Sequence, residues 1–166
     1  WTVLGVPGDT HEALINEEGQ IEVDKGAFSL EPFVIADGKV LTWADGTHTQ
    51  SLRDGHLPIA VVTREMKDAG LRLTITAAAS GPAGESVLAA TYELSNTSNA
   101  TRDVDLAVAL RPYQVNPPSQ FLNMEGGVSH IARLDGRDGG FVVDGSRVVI
   151  PCHSPAEIAF WQVASI

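Results

Sequence analysis

Asp103 and Asp105 stand two positions apart within residues 102–111, a spacing that on a strand sets both carboxyl groups on one face, roughly 7 Å from each other. A glycosidase needs two carboxylates about 5 to 10 Å apart across a sugar cleft. Here, however, the pair alternates with Val104, Leu106, Val108 and Leu110, which makes it the solvated side of a half-buried strand. Glu17 and Glu18 flank a turn, and many aspartates directly precede a glycine, where turn conformation already accounts for them. No catalytic acid/base pair is assigned. His11, His48, His56, His130 and His153 show no metal-ligand spacing with one another or with Cys152, so no metal or cofactor is assigned. The glycine-rich stretch Gly81–Ser86 lacks the lysine of a phosphate loop, and Gly145-Ser146-Arg147 lacks the second glycine of a nucleophile elbow. The sequons at Asn96 and Asn99 read equally well as turn.

Aromatic and amide side chains are the better binding candidates. Tryptophan and tyrosine rings stack on the apolar faces of sugars as readily as they pack in cores. Trp43 closes a strand just before Ala44-Asp45-Gly46, and Tyr113 opens a loop directly after Arg111. That loop, residues 111–123, is stiffened by Pro112, Pro117 and Pro118 and carries Arg111, Tyr113, Gln114, Asn116, Gln120 and Asn123. A rigid loop displaying a guanidinium and several amides suits hydroxyl recognition or a domain interface. The same amides could instead satisfy neighbouring backbone groups. Trp161 is a further aromatic candidate.

The elements that must position these residues are strands. Asp37-Gly38, Asp45-Gly46, Asp54-Gly55, Asp135-Gly136, Asp138-Gly139 and Asp144-Gly145 place a φ-tolerant glycine after a turn-forming aspartate, the mark of tight hairpins. Phe33-Val34-Ile35 and Val40–Trp43 flank the first pair, and Phe141–Val143 and Arg147–Ile150 the last. Period-2 alternation is clearest over residues 71–78 and 102–111. Residues 87–96 form another strand, which the polar link Asn96–Thr101 returns to Arg102 as a long antiparallel pair. No window sustains helical periodicity free of glycine or proline; residues 10–23 favour a hairpin across Glu18-Gly19 over a short helix. The expected fold is all-β, an antiparallel two-sheet sandwich with little or no helix, forming one domain over residues 1–166.

Composition agrees. Hydrophobic residues make up 43% of the chain and charged residues 19%, a balance that buries a core. Eleven Lys+Arg against 21 Asp+Glu give a formal charge of −10, which repels phosphate backbones and anionic membrane surfaces, so neither nucleic acid nor membrane is an expected partner. One cysteine makes no internal disulfide and indicates no compartment. No signal peptide or membrane span is visible, and the final stretch Glu157–Ile166, apolar up to its last residue, reads as a chain cut from something longer.

Three stretches carry a resemblance: Gln50–Ile59 leading to Val62-Thr63, Tyr92–Thr97, and Leu110–Pro118 continuing through Gln120–Asn123 to Gly126-Gly127-Val128. Over about residues 30 to 150 the chain resembles the N-terminal β-sandwich, or super-sandwich, of large bacterial proteins similar to six-hairpin glycosidases. Those are (α/α)6-barrel enzymes, some of them associated with a discoidin, or coagulation factor 5/8 type C, module. In such proteins the sandwich packs on the barrel and lends a loop to its cleft, while the barrel supplies the general acid and base. The resemblance therefore implies a non-catalytic accessory domain of a glycoside hydrolase-like protein. Its partner would be a helical barrel of the same polypeptide, with residues 111–123 offered to oligosaccharide. The alternative is an independent carbohydrate-binding module using Trp43, Tyr113 and Trp161.

Overall fold

The computed structural model describes residues 1–120, 126–137 and 139–152. The chain divides into two compact units, Trp1–His130 and a second that begins at Ile131. In the first unit the strands are β1 (Thr2–Leu4), β2 (Ala13–Ile15), β3 (Ile21–Glu22), β4 (Ser29–Ala36), β5 (Lys39–Leu41), β6 (Thr47–Leu52), β7 (Ala60–Met66), β8 (Leu71–Ser80), β9 (Val87–Asn96) and β10 (Val104–Arg111). The only helical pieces among the described residues are 3-10 turns at Trp43–Asp45, Arg53–Gly55 and Lys67–Ala69. One sheet runs β1-β2-β3-β4-β10 with β5 also on β4, and the other runs β6-β7-β8-β9. Every pairing is antiparallel. The protein is thus an all-β sandwich of antiparallel sheets.

Strand alternation fills the space between the two sheets. Leu4, Ile15, Ile21, Val34 and Ala36 come from the first sheet and meet Ala60, Val62, Met66, Leu71, Leu73, Ile75 and Ala77 from the second in one buried cluster. Each Leu, Ile, Val or Met side chain among them, removed from water, contributes about 1.5–3 kcal/mol. The expected hairpin across residues 10–23 is present, with Ile15 opposite Ile21. Its loop needs Gly19, whose φ is +89° and whose place a side chain would contest with Ile75.

One edge of β4 has a break that positions the site. Strand β10 covers the other edge from Ser29 to Ala36. On the broken edge β3 pairs only with Ser29 and Leu30, and β5 only with Val34 to Ala36. Glu31, Pro32 and Phe33 therefore have no strand beside them there among the described residues. A proline fits such a window because it has no N–H to offer a ladder.

Several expectations are corrected. Strands β9 and β10 do not pair: β9 lies on β8 and β10 on β4, so the polar link is a crossover between sheets. Within it Asn96 Nδ2 donates to the Ala100 carbonyl at 2.7 Å and Asn96 Oδ1 accepts from Ser98 N at 2.9 Å. Asp37-Gly38 is the expected two-residue turn, with φ of 51° and 74° between Ala36 and Lys39. Asp54-Gly55 also has positive φ but sits in a longer β6–β7 connection, and Asp45-Gly46 ends a 3-10 turn. Trp43 does not close a strand either, because β5 stops at Leu41.

The second unit is a three-stranded meander of β11 (Leu134–Arg137), β12 (Gly140–Val143) and β13 (Arg147–Val149). Asp144-Gly145 turns the chain as expected, with φ of 51° and 71°. Asp144 also ties its own unit together, its Oδ1 accepting from Ala132 N at 2.9 Å and Arg133 N at 2.8 Å. Asp135-Gly136 is no turn at all: both residues lie inside β11 and pair with Val142 and Phe141. Asp138 lies outside the described residues.

Candidate functional site

Thr42-Trp43-Ala44-Asp45 is a capping box, threonine followed three residues later by an acid. Thr42 Oγ1 accepts from Ala44 N at 3.2 Å, and Asp45 Oδ2 accepts from Thr42 N at 2.8 Å. The bond from Thr42 N, with a second from the Thr42 hydroxyl, holds the Asp45 carboxyl below its ordinary pKa. The capping bonds also fix the turn that presents Trp43, whose side chain remains about half exposed. Beside it opens a cleft of about 250 Å³ lined by Asn16, Glu18, Gln20, Glu31, Trp43 and Arg64. Asn16, Glu18 and Gln20 belong to the β2–β3 loop, and Glu31 to the window in β4.

Arg64 closes the window from behind. It is the charged member of an otherwise apolar inward series on β7, Ala60, Val62, Arg64 and Met66, all of them buried. Its Nη2 donates to the Glu18 carbonyl at 2.8 Å and its Nη1 to the Pro32 carbonyl at 3.3 Å. Its Nε has no hydrogen-bond partner among the described residues, although Arg64 is only 1% exposed. Burial lowers the guanidinium's pKa, while the negative charges of Glu31, Glu18 and Asp45 oppose that shift. No acidic side chain makes a contact ion pair with it among the described residues. His48, opposite Arg64 in the β6–β7 ladder, likewise has a buried Nε2 with no partner among the described residues. Burial first, and then the Arg64 charge, push its pKa down.

The residues singled out in the sequence fall into two groups. Trp43 lines the cleft itself, whereas Arg111 reaches it only through Glu31, to whose Oε2 its Nη1 donates at 2.9 Å. The Arg111 guanidinium lies 5.0 Å from the Tyr113 ring centre and 5.9 Å from that of Phe33, within cation–π range. Tyr113, Gln114 and Asn116 instead form a ribbon with residues 126–129. Gln114 N donates to Gly127 O at 2.8 Å, Gly127 N to Asn116 O at 2.7 Å, and Tyr113 pairs with Val128. Gln114 Nε2 also donates to Val128 O at 3.3 Å, so part of its amide serves the ribbon. Asn116 is buried with no partner for either amide atom among the described residues, and Gln120 is exposed. Asn123 and Trp161 lie outside the described residues.

The ribbon is anchored by a residue the sequence did not flag. Buried Glu22 takes Val115 N at 2.7 Å and Asn116 N at 3.3 Å on Oε2, and Gly26 N at 2.7 Å on Oε1. Three backbone donors thus converge on one carboxylate, which makes the proline-rich segment a built part of the sandwich. Asn16, Glu18, Gln20, Glu31 and Arg64 were also missed. For Arg64 a signal exists, since a charge interrupts the apolar face of a period-2 strand. The others are unremarkable loop and strand polar residues in the sequence. Asp103 and Asp105 are exposed, as expected of a solvated face. No cluster of three metal-ligating side chains occurs among the described residues.

These features define a class, an all-β sandwich with a polar cleft under one tryptophan. Compared with protein-family models, with curated proteins and with solved structures, the chain matches none.

Proposed function

We propose that this protein is a non-catalytic, carbohydrate-binding β-sandwich of a glycoside hydrolase-like polypeptide, and that the Trp43 cleft is where it holds sugar. The observation that carries the reading is the pairing of a half-exposed indole with the carboxylates of Glu18 and Glu31 and the amides of Asn16 and Gln20 around one opening. A sugar ring offers an apolar face to the indole and hydroxyl edges to the polar groups. The cleft is smaller than the roughly 300–1,000 Å³ of drug-sized sites, which suits one ring at a chain end. Isothermal titration of the 166-residue chain with an oligosaccharide panel tests the proposal. Saturable binding abolished by Trp43→Ala supports it, and no binding by any member refutes it.

Docking on a helical barrel is a second reading, favoured by one observation. Tyr113 is 43% and Val128 59% exposed, and the two are paired on the ribbon that Glu22 anchors. A rigid apolar pair beside polar groups is the composition of an interface core and rim.

A further inference from the structure

We infer that β9 is a docking edge for a second copy of this chain, the two β9 strands pairing antiparallel about a two-fold axis at Thr91. The inference is independent of the carbohydrate reading and goes beyond it. A strand with an open edge is a template for another chain, and soluble proteins blunt such edges with shortness, charge or proline. Of the edge strands in the first unit, β1 and β5 have three residues each. Strand β6 has six and is bounded by a 3-10 turn at either end. Strand β10 carries Asp105 on its outward face and ends at Arg111. Strand β9 has none of these devices. It is ten residues long, lacks proline, glycine and lysine, and bears a single charge, Glu93. Among the described residues no strand pairs with its far edge.

The side chains of β9 show the missing neighbour as well. Leu88, Ala90, Tyr92 and Leu94 pack on the core but are only partly buried. Leu71, Leu73, Ile75 and Ala77 of β8 face the same core and are at most 1% exposed. On the other face Val87 is 60% exposed, and Ala89, Thr91 and Glu93 are exposed with it. A strand laid along the open edge would extend both faces.

The order of residues in β9 favours β9 itself as that strand. About a two-fold axis, a residue some places before the axis faces the one as many places after it. With Thr91 on the axis, Leu88 meets Leu94 and Ala90 meets Tyr92 on the core side, the latter small against large. On the outer side Thr91 meets Thr91, Ala89 meets Glu93 and Val87 meets Ser95. Other axes fit less well. At Glu93 two carboxylates would oppose each other, at Tyr92 two tyrosines would meet and Leu88 would face Asn96, and at Ala90 Leu94 would face Ser86, outside the strand. An axis between two residues would set core side chains against outward ones. The chain's formal charge of −10 repels a second copy at long range, so contact belongs where charge is least.

Sedimentation equilibrium of the 166-residue chain, loaded from roughly 10 μM to 1 mM, should fit a monomer–dimer equilibrium. A monomer throughout, or open-ended assembly beyond the dimer, overturns the proposal. Ala89 gives the register its own test, because it is exposed and lies off the axis. Ala89→Lys sets a lysine opposite Glu93 of the second copy, and should hold the dimer at least as tightly as the parent. Ala89→Glu sets two carboxylates opposite each other there, and should raise the dimer Kd about tenfold. Val40→Glu adds the same charge on exposed β5, away from the contact, and should leave Kd within about twofold of the parent. Equal Kd values for the two Ala89 variants, or a Val40→Glu loss as large as that of Ala89→Glu, would overturn the register and the choice of partner with it.

Discussion

Arg111 Nη1 and Glu31 Oε2 lie 2.9 Å apart across a diagonal of the β4–β10 ladder, so the first residue of the proline-rich loop fixes one wall of the Trp43 cleft. In the ladder Glu31 faces Ala109 and Arg111 faces Ser29. Diagonal neighbours are within reach of long side chains. The pair links two regions that sequence spacing alone holds far apart.

Arg111→Ala should separate stability from binding. The Arg111 side chain is 37% exposed, so water screens the pair and its loss should cost less than about 1 kcal/mol in urea unfolding. Freed Glu31 should nevertheless lower oligosaccharide affinity about fivefold, roughly 1 kcal/mol. An affinity equal to that of the parent would detach the loop from the cleft.

Glu22→Ala should act in the opposite way, on stability before binding. It strands Val115 N and Asn116 N in a buried setting and also releases Gly26 N. Each buried donor left without a partner costs about 1–3 kcal/mol, which puts the total near 3 kcal/mol or above. Limited proteolysis should then cut within residues 111–130 before the rest of the chain. A resistant loop would show that Glu22 is not its anchor.

Stability should rise with pH through two separate windows. His48 is held below its ordinary pKa, so the unfolded chain binds more protons than the fold and stability falls as pH drops below about 6.5. Asp9 is lowered from 3.8 to about 2, by a hydrogen bond from Ser86 and by others from the His11 and Gly84 backbone. Its contribution is complete above pH 3.8 and is lost as pH falls towards 2. His48→Gln should flatten the upper window alone, and Asp9→Asn the lower one. Urea midpoints measured across pH, with each variant beside the parent, check both; a His48→Gln curve that keeps its upper slope would assign that slope to another group.

How much of this was legible depended on how local each feature is. Asp37-Gly38 was readable because a two-residue turn needs positive φ at both positions, which that pair supplies without help from distant residues. The strands over residues 71–80, 87–96 and 104–111 were readable from alternation, which fixes each strand's faces. Alternation carries no information about the neighbouring strand, and so β9 and β10 were wrongly paired across a link that crosses between sheets. Asp135-Gly136 misled for a related reason: the ladder with β12 overrides a turn-forming dipeptide. Trp43 and Arg111 were found as residue types, but the link from Arg111 to the cleft runs through Glu31 and the window between β3 and β5, a product of three strands at once. Arg64 was visible only as a break in an apolar series.

Gly46→Ala gives a steric test of the Arg64 arrangement. The Gly46 φ is −149°, extended backbone that alanine adopts freely, so any cost must come from contact. A Cβ there would stand 2.8 Å from Arg64 Cγ and 3.0 Å from the Glu65 carbonyl oxygen. Arg64 has little room to yield, since both terminal nitrogens are tied to backbone carbonyls. Gly46→Ala should therefore lose about 1–3 kcal/mol, as overpacked sites do, and weaken sugar binding as the guanidinium shifts. Gly38→Ala is the matching control. Its φ is +74° with nothing within 4 Å, so it should lose about 1 kcal/mol through backbone strain alone and bind sugar like the parent. Equal binding by the two variants would mean that the position of Arg64 does not matter to the cleft.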